Sequence, residues 1–174
     1  MNQEKLKPIR SFYEDRGCFG CGADNPYGLH MKFASDGKQV VSRLTVPEHL
    51  CGWDNIIHGG IVSTVHDEMM SWTAIQLLRK MILTKSVKID FLKPLFTGRK
   101  IEAVGRIHAE VSPREAIVES SILDDTGTCC SKGRGTFALI TPEFARKQGL
   151  ISEKAIRNFE SYSDWPGSGV QVED

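Results

Sequence analysis

The chain lacks an excess of charge of either sign and lacks a long uninterrupted apolar run. Its 174 residues carry 22 basic and 22 acidic side chains, which gives a formal net charge of zero. Without a positive surplus, nucleic acid is not expected as a partner. The most apolar stretch, residues 61–83, is also too polar for a bilayer span, so no membrane association is expected. It is interrupted by His66, Asp67, Glu68, Arg79 and Lys80.

The first sixteen residues are polar and charged, without the apolar segment of a signal peptide, so a cytoplasmic protein is expected. Cysteines are few and odd in number, five in all, which disfavours a disulfide framework. The length suits one principal domain. We expect an N-terminal arm over residues 1–16, the principal domain over 17–142, and a C-terminal helical segment and tail over 143–174.

Hydrophobic periodicity predicts an α+β fold. Apolar residues spaced by three and four predict a helix over 59–79 that is apolar almost all round and therefore mostly buried. Alternating residues predict a hairpin over 28–47 that turns at Asp36 and Gly37, and four further strands over 86–92, 100–111, 116–123 and 128–140. Short connections make these strands antiparallel neighbours. One long central helix wrapped by a curved antiparallel sheet satisfies the pattern.

Two further segments carry weaker signals. Residues 50–58 mix glycine, Asp54 and Asn55 with isolated apolar residues, which is typical of an irregular loop. Residues 143–160 suit an amphipathic helix, and its expected apolar anchors are Phe144, Leu150, Ile156 and Phe159.

The most informative motif is His58-Gly59-Gly60 at the start of the long helix, followed by Asp67 and Glu68. Two glycines there expose backbone N–H groups at the positive end of the helix dipole, which suits a developing oxyanion. A carboxylate pair within an apolar helix is costly without a partner. The alternative is that the glycines only permit a tight helix entry and that both acids are solvated or paired.

Four segments together resemble the hot dog fold acyl-CoA thioesterases of the phenylacetate-pathway type. They are Cys18-Phe19-Gly20-Cys21-Gly22, Asn25-Pro26-Tyr27-Gly28-Leu29, His58-Gly59-Gly60-Ile61 with Asp67-Glu68, and Asp90-Phe91-Leu92-Lys93-Pro94. The similarity runs from about Cys18 to Ile140.

This resemblance implies hydrolysis of an acyl-CoA thioester without a cofactor. Its catalytic residues would be Gly59, whose N–H polarises the carbonyl, His58, which positions the loop or thioester, and Asp67 as general base or nucleophile, with Glu68 beside it. The substrate-binding residues would be Asn55, Gly60, Ser71 and Thr84. Many relatives carry Asn or Gln six residues before the histidine, where this chain has Gly52 and offers Asn55 instead.

The spacing of the motif has a geometric consequence. Asp67 follows Gly59 by eight residues, so on one helix their backbones are about 12 Å apart. A carbonyl bound at Gly59 is therefore out of reach of Asp67 in the same chain. We expect a homodimer, or a dimer of such dimers, in which the acid comes from the second subunit.

Two other functions are compatible with these residues. A non-catalytic acyl-CoA binding module would keep the glycine turn without depending on Asp67. A hot dog enoyl-CoA hydratase would use an Asp and His pair such as Asp54 and His58. A serine hydrolase is disfavoured because the sequence contains no Gly-x-Ser-x-Gly motif.

The cysteines predict no metal site. Cys18 and Cys21 have the spacing of zinc ligands, but zinc sites usually need four ligands and no second such pair exists. Cys129 and Cys130 are adjacent, so on a strand they point to opposite faces. Cys18 and Cys21 are therefore interpreted as buried thiols.

Overall fold

The computed structural model of the protein describes residues 6–9 and 17–163. Most of the expected N-terminal arm and the tail beyond residue 163 lie outside these ranges. The part of the arm that is described joins the sheet, because Lys7 and Pro8 pair with Ser35 and Ala34. The domain boundaries at residues 17 and 143 stay predictions.

The described ranges form one long helix, two shorter helices, one large sheet and one small hairpin. The helices are α1 (Gly59–Leu78), α2 (Pro142–Gln148) and α3 (Glu153–Ser163). The strands are β1 (Lys7–Pro8), β2 (Phe33–Ser35), β3 (Val40–Thr45), β4 (Cys51–Trp53), β5 (Ile56–Ile57), β6 (Met81–Phe91), β7 (Lys100–Ser112), β8 (Glu115–Leu123) and β9 (Cys129–Ile140).

The large sheet has the order β1-β2-β3-β7-β8-β9-β6, and every neighbouring pair in it is antiparallel. Helix α1 packs on this sheet and contacts β3, β6, β7, β8 and β9. Strands β4 and β5 form a separate hairpin just before α1. The expected α+β architecture, a long central helix wrapped by an antiparallel sheet, is confirmed.

The main core lies between α1 and the sheet, where the side chains of Val65, Met69 and Met70 are buried. Strand β7 approaches the helix so closely that a Cβ at Gly105 would clash with Thr73 Oγ1 and lie 3.1 Å from the Met69 carbonyl oxygen. A residue without a side chain is needed at that contact. No helix within residues 6–9 and 17–163 is long and apolar enough to cross a bilayer.

The strands after the helix agree with the alternation, except that β6 begins at Met81 rather than at Ser86. Arg79 adopts a left-handed conformation with φ of 53° and ends α1, so the chain returns at once to pair with β9. The hairpin predicted before the helix turns at Asp36 and Gly37, but its first strand begins only at Phe33. The preceding N–H groups of Leu29 and Met31 bind carbonyl oxygens at residues 19 and 20 instead.

Residues 51–57, expected to form an irregular loop, form the β4–β5 hairpin. The hairpin turns at Asp54 and Asn55, and Asp54 has a φ of 50°. All of its residues except Ile57 are exposed. Because burial is almost absent, the sequence has no apolar alternation that would predict these two strands.

The C-terminal segment forms two helices instead of one. Gly149, with φ of 60°, ends α2 and breaks the predicted periodicity. Ile156 and Phe159 of α3 are buried in a cluster with Met81 and Ile140. Phe144 and Leu150, also expected to be apolar anchors, are instead 48% and 47% exposed, so that expectation was wrong.

Replacing the buried phenylalanine of α3 should therefore destabilise the domain far more than replacing the exposed one of α2. We expect Phe159→Ala to lower the free energy of unfolding by about 3–5 kcal/mol, because it leaves a cavity. Phe144→Ala is the matched control and should cost less than about 1 kcal/mol. Denaturant unfolding of both variants measures the difference, and equal losses would show that α3 is not docked on this cluster.

Candidate active site

His58 fixes the first turn of α1. Its ring Nδ1 accepts the backbone N–H of Gly60 at 2.9 Å, as a helix N-cap. Its carbonyl oxygen accepts the N–H groups of Ile61 and Val62 at 2.9 and 3.1 Å. In the neutral ring this leaves the proton on Nε2. His58 therefore positions the glycine turn through both its side chain and its backbone.

The N–H of Gly59 remains available to a ligand. Gly59 is exposed, and as the first residue of α1 it has no carbonyl one turn earlier within the helix. Among the residues that the structure describes, no hydrogen bond is made to this N–H. The ring of Phe91 on β6 lines the position, since it would lie 3.7 Å from a Cβ at Gly59. The turn thus offers one unpaired donor at the positive end of the helix.

Asp67 lies about two turns further along α1, beside β6. Its Oδ1 accepts the hydroxyl of Thr84 at 3.0 Å. Ser71 follows one turn later on the same side of the helix and is half-buried, as Asp67 is. The structure therefore brings Asp67 and Thr84 together, with Ser71 near them, and separates this group from Gly59 along the helix.

Asn55 lies at the turn of the β4–β5 hairpin. Asn55 is exposed, and its backbone carbonyl accepts the N–H of Thr97 at 2.8 Å. Gly52 is closer to the glycine turn, because a Cβ there would lie 3.4 Å from Cδ2 of His58. No hydrogen bond links Asp54 to His58 within the described parts of the chain. The hairpin thus places a glycine, and not an amide side chain, against His58.

Glu68 does not share the environment of Asp67. Adjacent residues of a helix do not face each other, and the Glu68 carboxylate accepts the thiol of Cys18 at 3.2 Å. Cys18 belongs to residues 17–31, which we call the cysteine loop. Burial raises the pKa of the Glu68 carboxyl to about 8. The structure places Glu68 against the cysteine loop and Asp67 against β6.

His66 carries a hydrogen-bond network that the sequence did not reveal. Its ring is fully buried between α1 and the sheet, with Nδ1 2.6 Å from Ser120 Oγ and Nε2 2.9 Å from Ser131 Oγ. Its ring also fills the space above Gly133, where a Cβ would lie 2.7 Å from Nδ1. Because the two serines are more than fifty residues away in sequence, spacing alone could not predict this cluster.

Comparison with known proteins agrees with this architecture. Residues 54–131 match the family model of the thioesterase superfamily. The Escherichia coli PaaI protein from the phenylacetic acid degradation operon superposes with a TM-score of 0.58 at 19% identity, covering 64% of this chain and 80% of that one. Zebrafish thioesterase superfamily member 2 superposes with a TM-score of 0.60 at 19% identity, covering 68% of this chain and 90% of that one. The chain has the hot dog fold.

Other hot dog structures match at similar levels. A hypothetical thioesterase of Streptococcus pneumoniae, determined with coenzyme A, has a TM-score of 0.56 at 17% identity and covers 60% of this chain and 80% of that one. No curated protein sequence matches the chain significantly. In this hot dog domain Gly59 and Asp67 both lie beside β6, and Gly59 is exposed while Asp67 is half-buried.

The buried histidine makes the stability of the hot dog domain sensitive to acid. Burial lowers the pKa of His66 from 6.5 to about 4. Between these values the unfolded chain binds the proton and the folded chain does not. The stabilisation from the neutral ring is therefore complete above pH 6.5 and is lost as the pH falls towards 4.

The free energy of unfolding of wild type minus that of His66→Gln is the stability gap. We expect this gap to be about 3 kcal/mol smaller at pH 4 than at pH 7, since one pKa unit corresponds to about 1.4 kcal/mol. Denaturant unfolding across this range measures the gap. His49→Gln, at an exposed histidine, is the control for removing an imidazole elsewhere. A gap that stays constant, or widens in acid, would contradict a neutral buried ring.

Proposed function

We propose that the chain is an acyl-CoA thioesterase, which hydrolyses the thioester to a free acid and coenzyme A. The observation that carries the proposal is the exposed Gly59 N–H at the start of α1, which has no hydrogen-bond acceptor among the described residues while His58 caps its neighbour Gly60. A backbone donor aimed out of a helix N-terminus binds the oxygen that becomes negative when a nucleophile attacks the thioester carbonyl.

Asp67 is the group that we assign to activate water or to attack the carbonyl itself. Its hydrogen bond to Thr84 fixes one carboxylate oxygen at 3.0 Å, which orients the other. Ser71, one turn later, supplies a further hydroxyl for the attacking water. A thiolate is a good leaving group, so a positioned base and one oxyanion donor are sufficient equipment for the reaction.

The distance along α1 requires that two subunits share each site. The eight residues from Gly59 to Asp67 span about 12 Å, too far for both groups to act on one carbonyl. Each thioester is therefore bound at Gly59 of one subunit and attacked with Asp67 of the partner subunit. A two-fold dimer then contains two equivalent sites.

The edge strand β6 supports this assembly. Among the strands that the structure describes it pairs with β9 alone, and its apolar side chains Leu83, Val87 and Phe91 are 43%, 37% and 58% exposed. Phe91 lies beside Gly59, and Thr84 lies beside Asp67. An antiparallel pairing of β6 with a second copy, centred near Val87, brings the Thr84 end of one strand opposite the Phe91 end of the other. This pairing covers the exposed apolar edge and places the two halves of the site together.

The proposed substrate is a thioester of coenzyme A. The thioesterase superfamily match over residues 54–131 supports thioester hydrolysis, and the Streptococcus pneumoniae protein with coenzyme A supports a coenzyme A ester as the thioester. Release of free thiol from short, long and aromatic acyl-CoAs by the purified protein tests the activity. Binding of these esters without any thiol release would instead favour a non-catalytic binding module.

We expect Asp67→Asn to lower the turnover of the best acyl-CoA by at least about a hundredfold, because the amide keeps the shape and loses the base. Glu68→Gln is the matched control. It should cost much less, because Glu68 faces the cysteine loop. Thiol release under saturating substrate, with circular dichroism and the oligomeric state as checks on folding, measures both. The assignment would be contradicted if the Glu68→Gln variant were inactive and the Asp67→Asn variant kept nearly normal turnover.

A further inference from the structure

The cysteine loop and α1 form a compact set of metal-ligand atoms outside the candidate active site. The sulfur atoms of Cys18 and Cys21 and a carboxylate oxygen of Glu68 all lie within 4.8 Å of one another. Ligands of a tetrahedral zinc ion, at bond lengths of about 2.0–2.3 Å, lie about 3.3–3.8 Å apart. The three atoms therefore need only small side-chain rotations to bind one ion.

The backbone of the cysteine loop holds the two thiols on the same side. The Gly22 N–H donates to the Cys18 carbonyl at 2.9 Å, which closes a tight turn around the Cys-x-x-Cys segment, residues 18–21. Cysteine binds a metal as its thiolate, and this turn leaves both sulfur atoms within reach of one ion.

Glu68 is held against this turn. A Cβ at Gly20 would clash with Cγ of Glu68, so the loop backbone lies directly on the stem of that side chain. The N–H of Met31 donates to the Gly20 carbonyl at 3.0 Å and the N–H of Leu29 to the Phe19 carbonyl at 2.8 Å, which ties the loop to the core. The position of the carboxylate relative to the thiols is therefore set by packing.

The carboxylate of Glu68 has no basic partner. Within residues 6–9 and 17–163, no lysine, arginine or histidine forms an ion pair with it, and its hydrogen bond comes from the weak thiol donor of Cys18. A half-buried carboxylate without a nearby cation is costly. A bound metal cation supplies that missing positive charge.

We propose that Cys18, Cys21 and Glu68 bind one Zn²⁺ ion, which fastens the cysteine loop to α1 next to Asp67. Two thiolates with one carboxylate favour a borderline-soft divalent cation over Mg²⁺ or Ca²⁺. All three residues are half-buried, so the fourth position of the tetrahedron faces solvent and is filled by water. The protons of the two thiols, and any proton on the Glu68 carboxyl, pass to solvent when the ion binds.

This proposal departs from the interpretation of Cys18 and Cys21 as simple buried thiols. That interpretation rested on the lack of further cysteine ligands in the sequence. The structure adds a carboxylate from a residue fifty positions away. The site is independent of the proposed hydrolysis, because its occupancy is measured without any substrate.

Titration of the metal-free full chain with Zn²⁺ and with Co²⁺ tests the site. We expect saturation at one ion per chain and, for Co²⁺, the thiolate charge-transfer and d–d absorption of a tetrahedral centre. Cys18→Ser, Cys21→Ser and Glu68→Gln should each weaken Zn²⁺ binding by more than about tenfold. Cys129→Ser is the matched control, because Cys129 is also a half-buried free cysteine and lies outside the cluster.

A measurement on the wild type alone covers the case in which a variant fails to fold. Stoichiometric Zn²⁺ should slow alkylation of Cys18 and Cys21, mapped by mass spectrometry, without slowing that of exposed Cys51. Zn²⁺ should also raise the melting temperature, and adding a chelator should reverse this increase. Failure to bind one ion, retained affinity in Glu68→Gln, loss of affinity in Cys129→Ser, or a Cys18–Cys21 disulfide that persists in excess reductant would each overturn the proposal.

Discussion

One rigid helix separates the two groups on which the proposed chemistry depends. In α1 the exposed Gly59 N–H and the Asp67 carboxylate are eight residues, about 12 Å, apart. The helix is enclosed by the sheet and cannot bend to close this distance, because its buried side chains are packed against β7, β8 and β9. In the proposed mechanism, a second subunit brings both groups to one thioester.

Other features of the domain are arranged around this constraint. The chain turns back after α1 and runs beside it as β6, so that Thr84 meets Asp67 and Phe91 meets Gly59. The same strand is one of the two edges of the sheet within the described residues, and it carries exposed apolar side chains. In the proposed dimer, pairing of two β6 edges would also assemble the two sites. Asp67 faces β6, whereas Glu68 faces the cysteine loop. We assign Glu68 and the two thiols of that loop to metal binding.

The parts of this arrangement that follow from local pattern could be predicted from the sequence. The long helix is nearly apolar all round, and β8 alternates between half-buried and buried residues along its whole length, because one of its faces is buried. Strands β7 and β9 alternate over only part of their length. The beginning of β6 could not be predicted, since it depends on the left-handed Arg79 and on pairing with β9. The exposed β4–β5 hairpin carries no burial pattern at all.

The candidate site divides in the same way. The glycine turn and the offset of Asp67 are short-range features of one helix, so the motif predicts both. The contacts of Glu68 with Cys18, and of His66 with Ser120 and Ser131, join segments that are fifty or more residues apart. Such contacts depend on how the loop and sheet close over the helix. No spacing in the sequence records them.

The most direct measurement of the central claim is complementation between two inactive variants. One chain carries Asp67→Asn, and the other carries Gly59→Leu, whose side chain covers the oxyanion donor. In a heterodimer with shared sites, one site holds both lesions and the other holds neither, so co-expression should restore up to half of the wild-type activity per heterodimer. Heterodimers that form but remain inactive would contradict an active site shared between subunits.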